Sequence, residues 1–399
     1  MLLHVTRIGV YLKTFLLFSL FLEFANAEYR VELVQVVFRH GDRTPSRAEM
    51  YPKLPYDPST FNSTGFGQLT SMGKRRLYNF GKMLNRMYAD LLGDTVNAGD
   101  IYAYSTDFER TKMSLQLVLL GLKPEMSNES FHTQNWLPVP MLYSPLPVDN
   151  VLVPQLCPMY QEKMQNVRNS SGIRKKLLKY NDFFEFITEN TGLNVTSNPV
   201  RTMWKLHHLL QAEESVNITT PPEWVNEDVK KKLEELTKLE YEIRSYTPDM
   251  KRLYGGAIIK QFIKNMNLDR QRDKIPKLYL YSAHEVNIAG LAKAHNFDEP
   301  EIPSYASAII FEKLRNSNDE EFVRMLLWTG VTEKLIPYNL PGSDKNRFCP
   351  LDKYLKFVKD VIPTDTESNC LWDTVTKEQL RDYCSQERSK LRKLMYSIL

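Results

Sequence analysis

Val31-Glu32-Leu33-Val34-Gln35-Val36-Val37-Phe38 runs straight into Arg39-His40-Gly41-Asp42-Arg43-Thr44-Pro45. The first stretch is apolar and short, and reads as a buried strand. A histidine flanked by two arginines therefore stands where a strand ends and a loop begins. In open α/β sheets that is where ligands bind. Two guanidiniums offer planar, permanently charged forks that suit phosphate oxygens. A neutral imidazole between them is placed to attack the group they hold. Gly41 lets the backbone turn tightly beside a ligand. Taken alone, the heptad has a plain reading as well: arginines at strand ends are common, and a lone histidine is usually inert.

Working outward, the same pattern recurs. Ile101-Tyr102-Ala103-Tyr104 and Lys277-Leu278-Tyr279-Leu280-Tyr281-Ser282 read as further strands. Ser307 to Glu312 and Phe322 to Trp328 read as two more, paired through the polar turn Asn316-Ser317-Asn318-Asp319. Between the first two strands, Leu69, Met72, Leu77, Phe80, Met83, Leu84 and Met87 recur at helical spacing, predicting a helix within 67–92. A second helix is expected from about Glu109 to Leu120. The middle of the chain has little β pattern. Charged helical segments alternate with polar breaks there, and Asn226 to Tyr246 is one of them. The expectation is a mixed, mostly parallel sheet flanked by helices, residues 28–156 plus 250–399, with a helical cap inserted at 157–249.

Chemistry-bearing residues gather at the strand ends. Ser105-Thr106-Asp107-Phe108-Glu109-Arg110-Thr111 follows the second strand, and Arg110 opens a helix, whose N-terminal N–H groups favour an anion. Ser282-Ala283-His284-Glu285 follows the third. A parallel sheet brings these ends to one edge. An HExxH zinc site needs a histidine where Ile288 stands, so that reading fails. No Walker loop or G-x-S-x-G elbow is present. By itself, His284 reads as a core histidine beside a surface glutamate. His207-His208 lacks ligand spacing and reads as structural, as does Gly67-Gln68-Leu69-Thr70 at a helix start.

Composition narrows the setting. The chain has 399 residues, 42% hydrophobic and 25% charged, with a net charge of +4. So small an excess argues against a nucleic-acid binder. Arg7 and Lys13 precede an apolar run from Phe15 to Phe24, followed by Ala25-Asn26-Ala27, the pattern of a signal peptide spanning 1–27. The run is short for a membrane span and Glu23 interrupts it. A secreted or lysosomal lumen, with no membrane anchor after cleavage, is expected. Four cysteines (Cys157, Cys349, Cys370, Cys384) allow two disulfides and lack zinc-site spacing. Five sequons, at Asn62, Asn128, Asn169, Asn194 and Asn217, point to a glycoprotein.

Taken together, these segments resemble the histidine acid phosphatase family, in the branch of prostatic, lysosomal and insect venom acid phosphatases. Arg39 to Pro45 is similar to its R-H-G-x-R-x-P signature. Gly65 to Thr70 matches the block that follows, Ser105-Thr106-Asp107 with Arg110-Thr111 the S-T-D-x-x-R-T block, and Tyr281 to His284 the distal Y-S-A-H block. The resemblance implies a histidine phosphatase-like fold and metal-independent hydrolysis of phosphate monoesters, without a cofactor, through a phosphohistidine. It implies His40 as nucleophile, Glu285 as proton donor, and Arg39, Arg43, Arg110 and His284 around the phosphate. It implies a Cys157–Cys370 disulfide, which leaves Cys349 with Cys384, and it allows a homodimer. Two positions depart from the pattern. Glu285 replaces the usual Asp, lengthening the reach of the acid by a methylene, and Tyr104 stands where Arg is frequent, a change expected to be peripheral. Two other readings stand beside this one. One is a phytase or inositol-polyphosphate phosphatase with a more basic pocket. The other is a secreted binding glycoprotein weakened in catalysis by Glu285.

Overall fold

In the computed structural model the described residues are 29–370, apart from 62, 94–96, 123–137, 219–221 and 269–274, together with isolated positions after 375. The proposed leader, Asn62, Asn128 and Cys384 lie outside them.

Strand β1 (Tyr29–Arg39) is fully buried from Leu33 onward. A helix, α1 (Ser71–Met87), starts where Thr70 accepts a hydrogen bond from the Gly73 N–H. It is shorter than the expected 67–92: the chain breaks at Tyr88, and Met72 is left exposed in the first turn. Strand β2 (Ile101–Ser105) leads into α2 (Glu109–Leu122), and β3 (Met141–Tyr143) follows. A mainly helical stretch comes next, with α3 (Pro158–Arg168), α4 (Asn181–Thr191), α5 (Pro199–Ser215) and α6 (Glu227–Arg244). The chain then returns through α7 (Gly255–Met266), β4 (Leu278–Ala283) and α8 (Glu285–Ala294). It ends in β5 (Ala308–Asn316), β6 (Glu321–Trp328), β7 (Leu335–Pro337), β8 (Cys349–Pro350) and α9 (Leu351–Val358).

The sheet runs β3-β2-β4-β1-β5-β6-β7, with β8 added beside β6. The four strands from β3 to β1 are parallel, and from β5 onward neighbours are antiparallel. Register aligns the ends that matter: Arg39 pairs with Ala283, and Ser105 with Ser282. Because β5 runs against β1, its first residue, Ala308, pairs with Phe38. The residues just before β5 therefore arrive at the same edge.

Alternation of side chains with period 2 divides the core. Val34, Val36 and Phe38 face Leu77, Phe80 and Leu84 of α1 and Leu115 and Val118 of α2. Leu33 and Val37 face the other side, with Ile258, Ile259 and Phe262 of α7 and Ile288 and Leu291 of α8. Gln35, buried on that side, is satisfied: its Nε2 donates to Phe262 O at 3.0 Å, and its Oε1 accepts from Asn265 at 2.7 Å. The helical stretch has an apolar cluster of its own, which takes in Val286 and Ala289 of α8.

Backbones touch where the heptad meets α1. A Cβ on Gly41 would lie 2.6 Å from the Gly73 carbonyl oxygen, and one on Gly73 2.2 Å from that of Asp42. Cys157 and Cys370 form a disulfide. The expected second bridge, Cys349 with Cys384, falls on a residue outside the described ones. Cys349 is buried in β8, free of any disulfide among the described residues, with its sulfur 3.3 Å from Pro341 O. Of the sequon residues described, Asn169, Asn194 and Asn217 are all exposed.

Candidate active site

The three segments from the strand ends meet around His40. Its Nδ1 lies 2.9 Å from the carbonyl oxygen of Gly41. A carbonyl only accepts, so Nδ1 carries the proton and Nε2 keeps its lone pair. His40 is buried, and burial is the first cause holding its pKa well below 6.5, followed by the charges of Arg110 and Arg39. The imidazole therefore stays neutral below the pH at which a free histidine takes up its proton.

Arg39 is 1% exposed. Its Nη1 donates to Pro303 O at 2.6 Å, and its guanidinium lies 4.1 Å from the centre of the Tyr305 ring. Both residues belong to the segment delivered by antiparallel β5. The Nε stands 3.2 Å from Glu285 Oε2, while Nη2 is buried with no hydrogen-bond partner among the described residues. A buried guanidinium N–H left open costs free energy, and an incoming oxyanion would satisfy it. Arg43 is differently placed. Glu49 grips its fork with both carboxylate oxygens, Nη1 donating to Oε2 at 2.9 Å. Asp42 points elsewhere, to Arg76 Nε at 2.9 Å.

Arg110 stands in the first turn of α2, and its Nη2 is 3.3 Å from His284 Nδ1. A guanidinium only donates, so Nδ1 must accept. His284 Nε2 then carries the proton toward Thr106 Oγ1 at 3.1 Å. Thr106 in turn donates to Thr111, whose hydroxyl donates to Thr106 O or Phe108 O. The network leaves His284 neutral, in line with burial and the Arg110 charge, which hold its pKa well below 6.5. The His40 and His284 rings are 5.5 Å apart.

Glu285 opens α8 and is 7% exposed. Burial pushes its carboxyl upward, but the charges of Arg39 and Arg43 and a backbone hydrogen bond outweigh that and leave it below 4.5. His40, His284 and Glu285 offer ligand atoms within 4.8 Å of one another, a spacing a metal could use. Arg39, Arg43 and Arg110 crowd the same point with positive charge, which repels a cation and favours an anion.

All six residues expected at the site thus lie at one edge of the sheet. Tyr104 does not; it belongs to a group of tyrosine rings with Tyr102 and Tyr281. Other residues were not foreseen. His208, read as structural, has its Nε2 3.8 Å from Glu285 Oε1 and 3.3 Å from the Tyr241 hydroxyl. Trp204, one turn earlier on α5, lines the pocket with Lys205. Nothing in the local sequence marks these residues, because packing alone turns that face of α5 toward α8. Glu49 carried a signal: Ser46-x-x-Glu49 has capping-box spacing, and the box is formed.

A profile of the histidine phosphatase superfamily (branch 2) matches residues 30–328. The chain is 35% identical to the venom acid phosphatase Acph-1 of Apis mellifera, over 86% of this chain and 89% of that one. It is 33% identical to the prostatic acid phosphatase of Rattus norvegicus, over 89% and 93%. The lysosomal acid phosphatase of Rattus norvegicus is 30% identical, over 85% and 80%. Among solved structures, the phytase from Citrobacter braakii shares the fold with a TM-score of 0.64 at 16% identity, covering 85% of this chain and 99% of that one. With its motifs in order and gathered at one sheet edge, this chain belongs to the histidine phosphatase superfamily, branch 2.

Proposed function

We propose that this protein is an acid phosphatase that hydrolyses phosphate monoesters through His40. The observation that carries the reading is a buried, neutral imidazole, its Nδ1 tied to Gly41 O, set among three guanidiniums. Arg39, Arg43 and Arg110 hold the phosphoryl oxygens and stabilise the charge that spreads over them during transfer. His284 keeps Arg110 aimed at the phosphate. The Nε2 lone pair of His40 forms a bond to phosphorus as the ester P–O bond breaks, and the leaving oxygen takes a proton from Glu285. Water then attacks phosphorus, gives a proton to the Glu285 carboxylate, and the N–P bond breaks, releasing phosphate and free His40.

Glu285 is ionised in the empty site. In acid the substrate supplies the missing proton, since a monoester with a second pKa near 6 arrives as its monoanion. Phosphate charge beside Arg39 then weakens the hold of that arginine on Glu285, and the carboxyl takes the proton it later donates.

The helical stretch 157–249 acts as a cap, with Trp204 and Lys205 of α5 forming one wall of the entrance. Residues 1–27 act as a secretory leader. The Cys157–Cys370 disulfide supports an oxidising lumen, either secreted or lysosomal, as do three exposed sequon asparagines. No helix among the described residues is long and apolar enough to cross a membrane.

The test is hydrolysis of p-nitrophenyl phosphate by the purified protein at acidic pH, with and without EDTA, beside His40→Ala. Turnover that resists EDTA and disappears in a folded His40→Ala protein is expected. Full activity in that variant would refute the assignment.

A further inference from the structure

A second carboxylate reaches the pocket, and the mechanism above does not use it. Glu49 closes a short 3-10 turn (Arg47–Glu49), where its Oε2 also accepts from the Ser46 backbone N–H at 3.0 Å. Its side chain is only 11% exposed. With both oxygens on Arg43, it fixes that guanidinium and offsets its charge. The charged residues of the pocket can then be counted. Arg43, Arg110 and Lys205 line it, with Arg39 behind, against Glu49 and Glu285. His40 and His284 are neutral. Four cations and two carboxylates leave a charge of +2. One phosphate monoanion leaves a surplus of only +1, and the further phosphates of a polyphosphorylated substrate find nothing to match their charge. Ser46, Ala48, Trp204 and Val286, which complete the entrance, are uncharged.

We propose that Glu49 is a specificity-determining residue. By holding a negative charge at the entrance and locking Arg43 for a single phosphate, it confines the site to esters whose leaving group is uncharged, and excludes polyphosphorylated polyols. The inference rests on the phosphatase reading above and names its substrate class.

The test compares kcat/KM for p-nitrophenyl phosphate and for myo-inositol hexakisphosphate in the full-length protein, Glu49→Gln and Ala48→Lys. Glu49→Gln removes the repelling charge, at some expense to Arg43. Ala48→Lys adds a cation at an exposed position of the same wall without touching Arg43. In both, the ratio of hexakisphosphate to aryl phosphate activity should rise about tenfold, the scale of one charge contact at a partly exposed site. A rise in Ala48→Lys alone still supports the charge argument if Glu49→Gln does not fold. An unchanged ratio in folded variants, or a wild-type protein that takes the hexakisphosphate as readily as the aryl ester, would overturn the role of Glu49 alone. Wild-type protein that is folded yet inert toward p-nitrophenyl phosphate would remove the phosphatase reading, and this inference with it.

Discussion

Replacing Glu285 with Gln separates two things the carboxylate does. The amide has nearly the same shape, so the fold should hold. The first effect is loss of the proton donor. General acid catalysis contributes about 10²- to 10⁴-fold, and an alkyl phosphate such as 2-glycerophosphate should lose that much in kcat. Nitrophenolate departs without a proton, so p-nitrophenyl phosphate should lose far less. The second effect comes from Arg39. Its Nε lies 3.2 Å from Glu285 Oε2, and at an effective dielectric constant near 20 that attraction is about 5 kcal/mol. Desolvation cancels much of such a buried interaction. If about 1–2 kcal/mol is redirected to a bound anion, inorganic phosphate should inhibit about 5- to 30-fold more tightly. The assay is steady-state kinetics on both esters, with phosphate as inhibitor, at pH 5. There the wild-type carboxyl, held below 4.5, is ionised. As pH falls through that depressed value it protonates, and the difference in phosphate affinity should shrink. Equal losses on both esters, or unchanged phosphate inhibition at pH 5, would refute the reasoning.

Thr106→Val removes the acceptor of the His284 N–H and leaves a buried donor open, a cost of about 1–3 kcal/mol. Arg110 loses its anchor, so kcat/KM should fall about tenfold while inhibition by phosphate weakens; unchanged inhibition would mean that His284 does not hold Arg110. Activity should decline as pH rises through the second ionisation of the ester, near 6, because His40 is already neutral; a limb that stays at one pH for esters of differing pKa would contradict this. The Arg39–Glu285 pair should stabilise the fold above the ordinary carboxyl pKa and lose that contribution as pH falls through the depressed value, which thermal melts between pH 3 and 6 would detect. Cys157→Ser opens a link across 213 residues, for which chain entropy alone gives about 5 kcal/mol, and its melting temperature should drop by many degrees; an unchanged melt would show that the bridge constrains little.

The sheet was legible where strands were long and buried. β1 and β4 show as apolar runs, and each stops at a charged or polar residue that proved to lie at the site. β3, β7 and β8 have two or three residues each, too few for a period to register, and pairing with longer neighbours creates them. The strand-end residues were legible because parallel strands convert positions far apart in sequence into neighbours. His208 and Trp204 were not, since a histidine on a helix face looks the same whether it meets solvent, core or Glu285. Arg39 was legible as a residue at the strand end, but not the seat that antiparallel β5 builds for it from Pro303 and Tyr305. The first cause of the low His40 pKa is burial, which a sequence does not display; Arg110 and then the adjacent Arg39 come after it.

The contact between Gly41 and Gly73 reaches beyond this one molecule. Each would push a Cβ into backbone, 2.6 Å and 2.2 Å away, and backbone in a packed interior has nowhere to go. Neither substitution makes room for the other, because each collides with main chain rather than with the neighbouring side chain. The two positions cannot drift by compensation, as paired core residues often do. A library randomised at both and selected for turnover should return a single genotype, glycine at each, with no second-site escape nearby.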